Sequence, residues 1–225
     1  MRYEITGDNL QLANIILSAG ESIDVAIGST IYTLGNFDVK KSGGGIIDGI
    51  KKALAGKCLE TMNYSPKKGV GTIGVGGHLP GRIMDVNIDR MGWIAQKDSF
   101  IASQPGISTD QEFQKRLGDE FGQEGLTLIK FGGKGMLFLF SLGDFLIFPL
   151  QKGEVYEVAT DKAVAWESSV KYKIEADKNL KNTFFGKDGP YVTKFEGPGR
   201  IVVQTMSMQK VYRMLRPYEE KSDEK

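Results

Sequence analysis

The stretch Leu17-Ser18-Ala19-Gly20-Glu21-Ser22-Ile23-Asp24-Val25-Ala26-Ile27 decides the fold class. Beyond Gly20, the apolar residues Ile23, Val25 and Ile27 alternate with Ser22, Asp24 and Ala26. A period of two places the two sets on opposite faces of a pleated strand, so the segment reads as a strand with one buried face. Met84, Val86 and Ile88 alternate with Asp85, Asn87 and Asp89 in the same way. The 29 glycines are dispersed and punctuate short runs of this kind, which points to a mostly β protein.

Outward from that stretch, the sequence resembles itself. Leu17-x-x-Gly20-Glu21 recurs as Leu150-x-x-Gly153-Glu154, 133 residues on, and Val25-Ala26 recurs as Val158-Ala159 at the same offset. Pro80-Gly81-Arg82-Ile83 recurs as Pro198-Gly199-Arg200-Ile201, 118 residues on. The offsets differ by 15 residues, which is the length of Ser42 to Gly56. This pattern predicts a duplicated β unit, with a first half over 1–118, a second over 119–218 and a charged tail over 219–225. The first half carries a helical insertion near 42–56.

Two short helices are expected. In Gly45 to Leu54 the residues Ile46, Ile47, Ile50, Ala53 and Leu54 share a helical face, and Gly56 follows as a stop. The second begins at Thr109, where Glu112 completes a capping box and Phe113 pairs with Leu117. Leu137 to Ser141 and Phe145 to Leu150 flank Gly143-Asp144, a short-loop hairpin signal. Both arms are apolar on both faces, so they form either a hairpin covered on two sides or part of a subunit interface.

Apolar residues at 40% and charged residues at 25% describe a globular chain. A net charge of +1, with 22 Lys against seven Arg, predicts no strong field for nucleic acid or membrane, and no DNA partner. Cys58 is the only cysteine, so an intrachain disulfide is excluded and a cytoplasmic setting is expected. No signal core follows Met1, and the apolar arms between Met136 and Leu150 are too short for transmembrane helices.

The sequence shows no catalytic or metal constellation and calls for no cofactor. His78 is the only histidine, which removes the metal sites that need two or more. Gly69-x-Gly71-x-x-Gly74 fits a dinucleotide pattern, but it runs on through Val75 into Gly76-Gly77 and Pro80 rather than opening a helix. It reads as a glycine-rich strand or bulged loop. Cys58 has neither a neighbouring histidine nor an activating motif, so a packed thiol is expected.

Glu21 and Glu154 are the most informative carboxylates. By strand parity Glu21 shares a face with Ile23 and Val25, and Glu154 with Tyr156 and Val158. Such a carboxylate normally accepts backbone hydrogen bonds from a turn, a structural role that competes with a catalytic pair. Gln204 matches Val86 at the 118 offset, on what should be an apolar face, and is expected to be a buried, hydrogen-bonded amide. Gln204, Tyr156 and Trp166 are the candidate contacts of any ligand pocket between β units or subunits.

These pieces resemble the mitochondrial biogenesis proteins of the altered-inheritance-of-mitochondria group and their prokaryotic relatives. The resemblance rests on Leu17-x-x-Gly20-Glu21, the Gly45 to Leu54 segment, Pro80-Gly81, Ile101-Ala102 and Gly122-Gln123-Glu124-Gly125-Leu126. It continues through Gly132 to Phe148, Leu150-x-x-Gly153-Glu154 and Gly197-Pro198-Gly199 up to Gln204-Thr205. Where the family tends to have Gly-Glu-Ser after the helix, this chain has Gly56-Lys57-Cys58 and lacks that carboxylate. The resemblance implies a duplicated β-sandwich or double-stranded β-helix, jelly-roll-like and similar to the tryptophan RNA-binding attenuation protein. It also implies scaffolding rather than catalysis. The expectation is a non-enzymatic homo-oligomer that acts as a scaffold or assembly protein, with unidentified protein partners. The alternative is a binding module for a small molecule or, more remotely, RNA.

Overall fold

Leu12–Ser18 (β2) buries Ala13, Ile15 and Leu17 and turns Leu12, Asn14 and Ile16 towards the other face. Ile23–Ala26 (β3) buries Ile23 and Val25 in the same rhythm. This is the alternation that a half-covered strand requires. The computed structural model describes residues 1–42, 59–115, 125–176 and 191–219. The helix expected over Gly45 to Leu54 and Cys58 lie outside the described residues, as does the expected junction at 118–119.

The strands fall into three successive sets that share one pairing scheme. After Arg2–Thr6 (β1), the first set is β2, β3, Thr30–Leu34 (β4), Phe37–Ser42 (β5), Thr61–Pro66 (β6) and Val70–Gly76 (β7). The second is Gly81–Ile88 (β8), Trp93–Gln96 (β9), Phe100–Ser103 (β10), Ile107–Lys115 (β11), Leu126–Gly133 (β12) and Gly135–Leu142 (β13). The third is Phe145–Leu150 (β14), Val155–Ala159 (β15), Ala163–Glu167 (β16), Lys171–Ala176 (β17), Tyr191–Glu196 (β18) and Gly199–Gln204 (β19). In each set the last strand pairs with the first and third, and the fifth pairs with the second and fourth, all antiparallel. Among the described strands, two ladders join the sets. β10 pairs with β3, and β16 pairs with β9.

The result is four sheets, ordered β1-β2-β7-β4, β5-β6-β3-β10-β13-β8, β11-β12-β9-β16-β19-β14 and β15-β18-β17. Three apolar clusters fill the spaces between successive sheets. Ile15, Ile73, Ile101 and Phe138 lie between the first and second. Leu137, Phe131 and Val164 lie between the second and third, and Leu128, Trp166 and Phe195 between the third and fourth. The central strands of the two inner sheets are therefore covered on both faces, which explains the unbroken apolar run in β13. Its Phe138 and Phe140 meet the first sheet's side, and its Leu137 and Leu139 meet the third.

Three expectations change. β13 and β14 do not pair with each other, because β13 belongs to the second sheet and β14 to the edge of the third. Gly143-Asp144 is thus a step between sheets rather than a hairpin loop. The segment beginning at Thr109 is strand, not helix: Thr109 faces Phe131 and Lys115 faces Leu126 across the β11–β12 ladder. A long antiparallel partner outweighs a local capping signal, which contributes only about 1 kcal/mol. The chain also forms a helix that the sequence reading omits, Met208–Glu219 (α1), in which Ser207 Oγ accepts the Lys210 N–H at 3.3 Å as its N-cap.

The glycine-rich run at 69–74 leads into and lies within β7, and its glycines make room for rings. A Cβ on Gly74 would lie 2.3 Å from the Tyr32 ring, and one on Gly71 would lie 2.5 Å from the Phe37 ring. Among the described residues no helix is long and apolar enough to cross a membrane.

Candidate functional site

Glu21 and Glu154 occupy matching turns. The Ser18 N–H donates to Glu21 Oε2 at 2.8 Å, and the Glu21 N–H donates to the Ser18 carbonyl at 3.0 Å. At the second turn the Gln151 N–H donates to Glu154 Oε2 at 2.8 Å, and the Glu154 N–H donates to the Gln151 carbonyl at 3.0 Å. Gly20 and Gly153 supply the left-handed residue in each, at φ 89° and 81°. The Met1 ammonium also meets Glu21 Oε1; this contact, followed by the Ser18 N–H, holds the Glu21 carboxyl below the usual range. The two carboxylates do not converge. Glu21 closes the turn from the first sheet to the second, and Glu154 the turn from the third to the fourth.

Gln204 ends β19 and joins two connections. Its Oε1 accepts the Leu142 N–H at 2.9 Å, and its Nε2 donates to the Asp161 carbonyl at 2.9 Å. Trp166 is fully buried, with ring centroids 4.9 Å from Tyr172 and 5.0 Å from Phe195. Its Nε1 is buried without an acceptor among the described residues. Tyr156 is half-buried with its ring 5.7 Å from Phe148. Tyr156 and Trp166 belong to the same core between the third and fourth sheets, whereas Gln204 bridges Leu142 and Asp161.

The surface offers a different kind of site. Ile31 is 60% exposed and Leu34 66%, both on β4, an outer strand of the first sheet. Val155 on β15, an outer strand of the fourth sheet, is 57% exposed. Leu146 and Ile147 on the outer strand β14 are also exposed, as are Tyr212, Met214 and Leu215 on α1. Apolar edge strands of this kind expose unpaired backbone groups together with side chains that favour burial. No sequence motif marks them, because a strand's place in its sheet is not encoded in its own residues.

A family model described as mitochondrial biogenesis AIM24 matches residues 3–206. The chain belongs to the AIM24 family. The match reaches into every strand of the AIM24 fold described above, from β1 to β19. This AIM24 chain is 22% identical to an uncharacterised protein of Streptococcus pyogenes serotype M6, over 97% of this chain and 91% of that protein. It is similar in structure to a Streptococcus pyogenes protein solved by X-ray crystallography, with a TM-score of 0.77 and 21% identity. The alignment covers 96% of this chain and 99% of that one, and at this identity it carries the AIM24 fold alone.

Proposed function

We propose that this AIM24-family chain is a non-enzymatic, homo-oligomeric scaffold that acts in the cytoplasm through protein contacts, without DNA. The observation that carries the proposal is the pair of outer strands β4 and β15, whose apolar residues Ile31, Leu34 and Val155 are more than half exposed. Isolated apolar residues on a surface are ordinary, but apolar residues on an open strand edge favour a further strand. The carboxylates that a catalytic pair would need are instead engaged in separate turns. Native mass spectrometry of the purified protein tests the proposal. A closed or extended assembly at multiples of the bare chain mass supports it, and a bare monomer at micromolar concentration overturns it.

The buried Trp166 Nε1 favours a second reading, a module that binds a small molecule beside the core of the third and fourth sheets. An unpaired buried donor costs free energy that a ligand acceptor would recover. A reproducible extra mass per subunit, or a metabolite that raises the melting temperature, supports this reading; the absence of both counts against it.

A further inference from the structure

The two links between strand sets are the same link made twice. Ala102 of β10 faces Val25 of β3, and Ala165 of β16 faces Ala95 of β9. In both cases the third strand of one set pairs with the second strand of the preceding set. In all three sets the third strand carries a bulge at the same place on the ladder to the last strand: between Thr30 and Tyr32, Phe100 and Ala102, and Ala163 and Ala165. The bulge brackets Ile31, Ile101 and Val164.

Two edges of this type are left without partners among the described strands. Among the described strands, no set precedes that of β4, the third strand of the first set. Likewise no described set follows that of β15, the second strand of the third set. The exposure of their side chains follows. Ile101 and Val164, packed in the clusters against the preceding sheet, are 2% and 3% exposed; Ile31, at the matching position of β4 on the outermost sheet, is 60% exposed. β4 and β15 belong to the two outermost sheets of the stack, and none of the three apolar clusters joins those sheets.

We infer that β4 of one copy of the chain pairs antiparallel with β15 of a second copy, repeating between chains the link made twice within each. This rests on the oligomeric reading above and specifies its contact. The register is determined. Val25, Ala95 and Val158 each lie seven residues before Tyr32, Ala102 and Ala165. Val158 is therefore to Tyr32 as Val25 is to Ala102, so Tyr32 faces Val158, Thr33 faces Glu157 and Leu34 faces Tyr156. The contact joins the first sheet, of four strands, to the fourth, of three, in one continuous sheet. Because two different surfaces meet, it is head-to-tail, and it closes into a ring or extends as a filament according to its rotation.

The test uses the full chain with Cys58 replaced by Ser and single cysteines introduced by Thr33→Cys in one copy and Glu157→Cys in a differently tagged copy. The two are co-expressed and then oxidised. Facing residues on antiparallel strands lie within disulfide reach, and residues out of register do not. The expected result is a disulfide between the two tagged chains, absent when Val155→Cys replaces Glu157→Cys. Ile31→Lys, at an exposed position that leaves the monomer's core intact, places a charge in the contact and weakens assembly by about tenfold or more. An oligomer that forms no such disulfide and is indifferent to Ile31→Lys overturns the inference but leaves the oligomeric reading in place. A wild-type monomer overturns both. A Thr33→Cys/Glu157→Cys double variant that closes its disulfide within one chain overturns pairing between copies.

Discussion

Replacing Gln204 by Leu separates a structural amide from a pocket contact. Leu has nearly the volume of Gln, so packing is largely kept. The substitution removes the acceptor of the Leu142 N–H and the donor to the Asp161 carbonyl, each at 2.9 Å. A neutral hydrogen bond contributes about 1 kcal/mol, so the two together are worth about 2 kcal/mol. For a chain of this size that corresponds to a melting temperature about 4–8 °C lower. Gln204→Glu refines the test. Its carboxylate still accepts from Leu142 but turns a negative oxygen towards the Asp161 carbonyl, which raises the folded carboxyl's pKa. Protonation restores a donor, so the variant's deficit is smallest below about 4.3, where both states are protonated, and widens as pH rises to the folded pKa. Differential scanning calorimetry of both variants across pH reads these effects. A Gln204→Leu protein that melts within about 1 °C of wild type would refute the structural role.

The Tyr3 hydroxyl donates to Asp85 Oδ2 at 2.6 Å, and this bond, then burial and the Asp85 charge, push the phenol up to about 12. Ultraviolet titration should find one tyrosine that returns towards its ordinary value in Asp85→Asn. Because the folded pKa is raised, the contribution to stability is complete below pH 10 and is lost as pH rises towards 12. Two glycine substitutions should differ in cost. At Gly81 a Cβ would stand 2.0 Å from the Ser141 carbonyl oxygen and 2.5 Å from the Phe140 ring, so Gly81→Ala should lose about 1–3 kcal/mol or more by denaturant unfolding. At Gly20, with φ 89° and nothing within 4 Å, Gly20→Ala meets only left-handed strain of about 1–2 kcal/mol; the opposite order would contradict the packing at Gly81.

Strand content was legible where one face is covered, as in β8, whose Met84, Val86 and Ile88 are buried while Asp85 and Asn87 are exposed. Sheet membership was not legible, because partners are chosen by distant residues. Gly143-Asp144 has the local character of a hairpin loop, yet β13 pairs with β8 and β10 while β14 pairs with β19. The two Pro-Gly-Arg-Ile copies likewise hold different places: β8 is an edge strand, whereas β19 is flanked by β16 and β14. The 133-residue match, by contrast, aligns β2 and β3 with β14 and β15, the first two strands of the first and third sets. The α1 signal was present in the spacing of Met208, Val211, Tyr212 and Leu215 after Ser207, an i, i+3, i+4, i+7 pattern. The exposed edges became visible only once β4 could be compared with β10 and β16.

Hydrogen exchange at the backbone amides of β4 and β15 in the assembled protein is the most direct measurement of the central claim. A strand paired on both sides protects all its ladder amides, whereas a free edge leaves its outward N–H groups open to solvent. The outward amides of Ile31 to Leu34 should exchange as slowly as those of β10 and β16, and Ile31→Lys should restore fast exchange. Fast exchange along β4 in an intact oligomer would show that the copies meet elsewhere and would contradict the account.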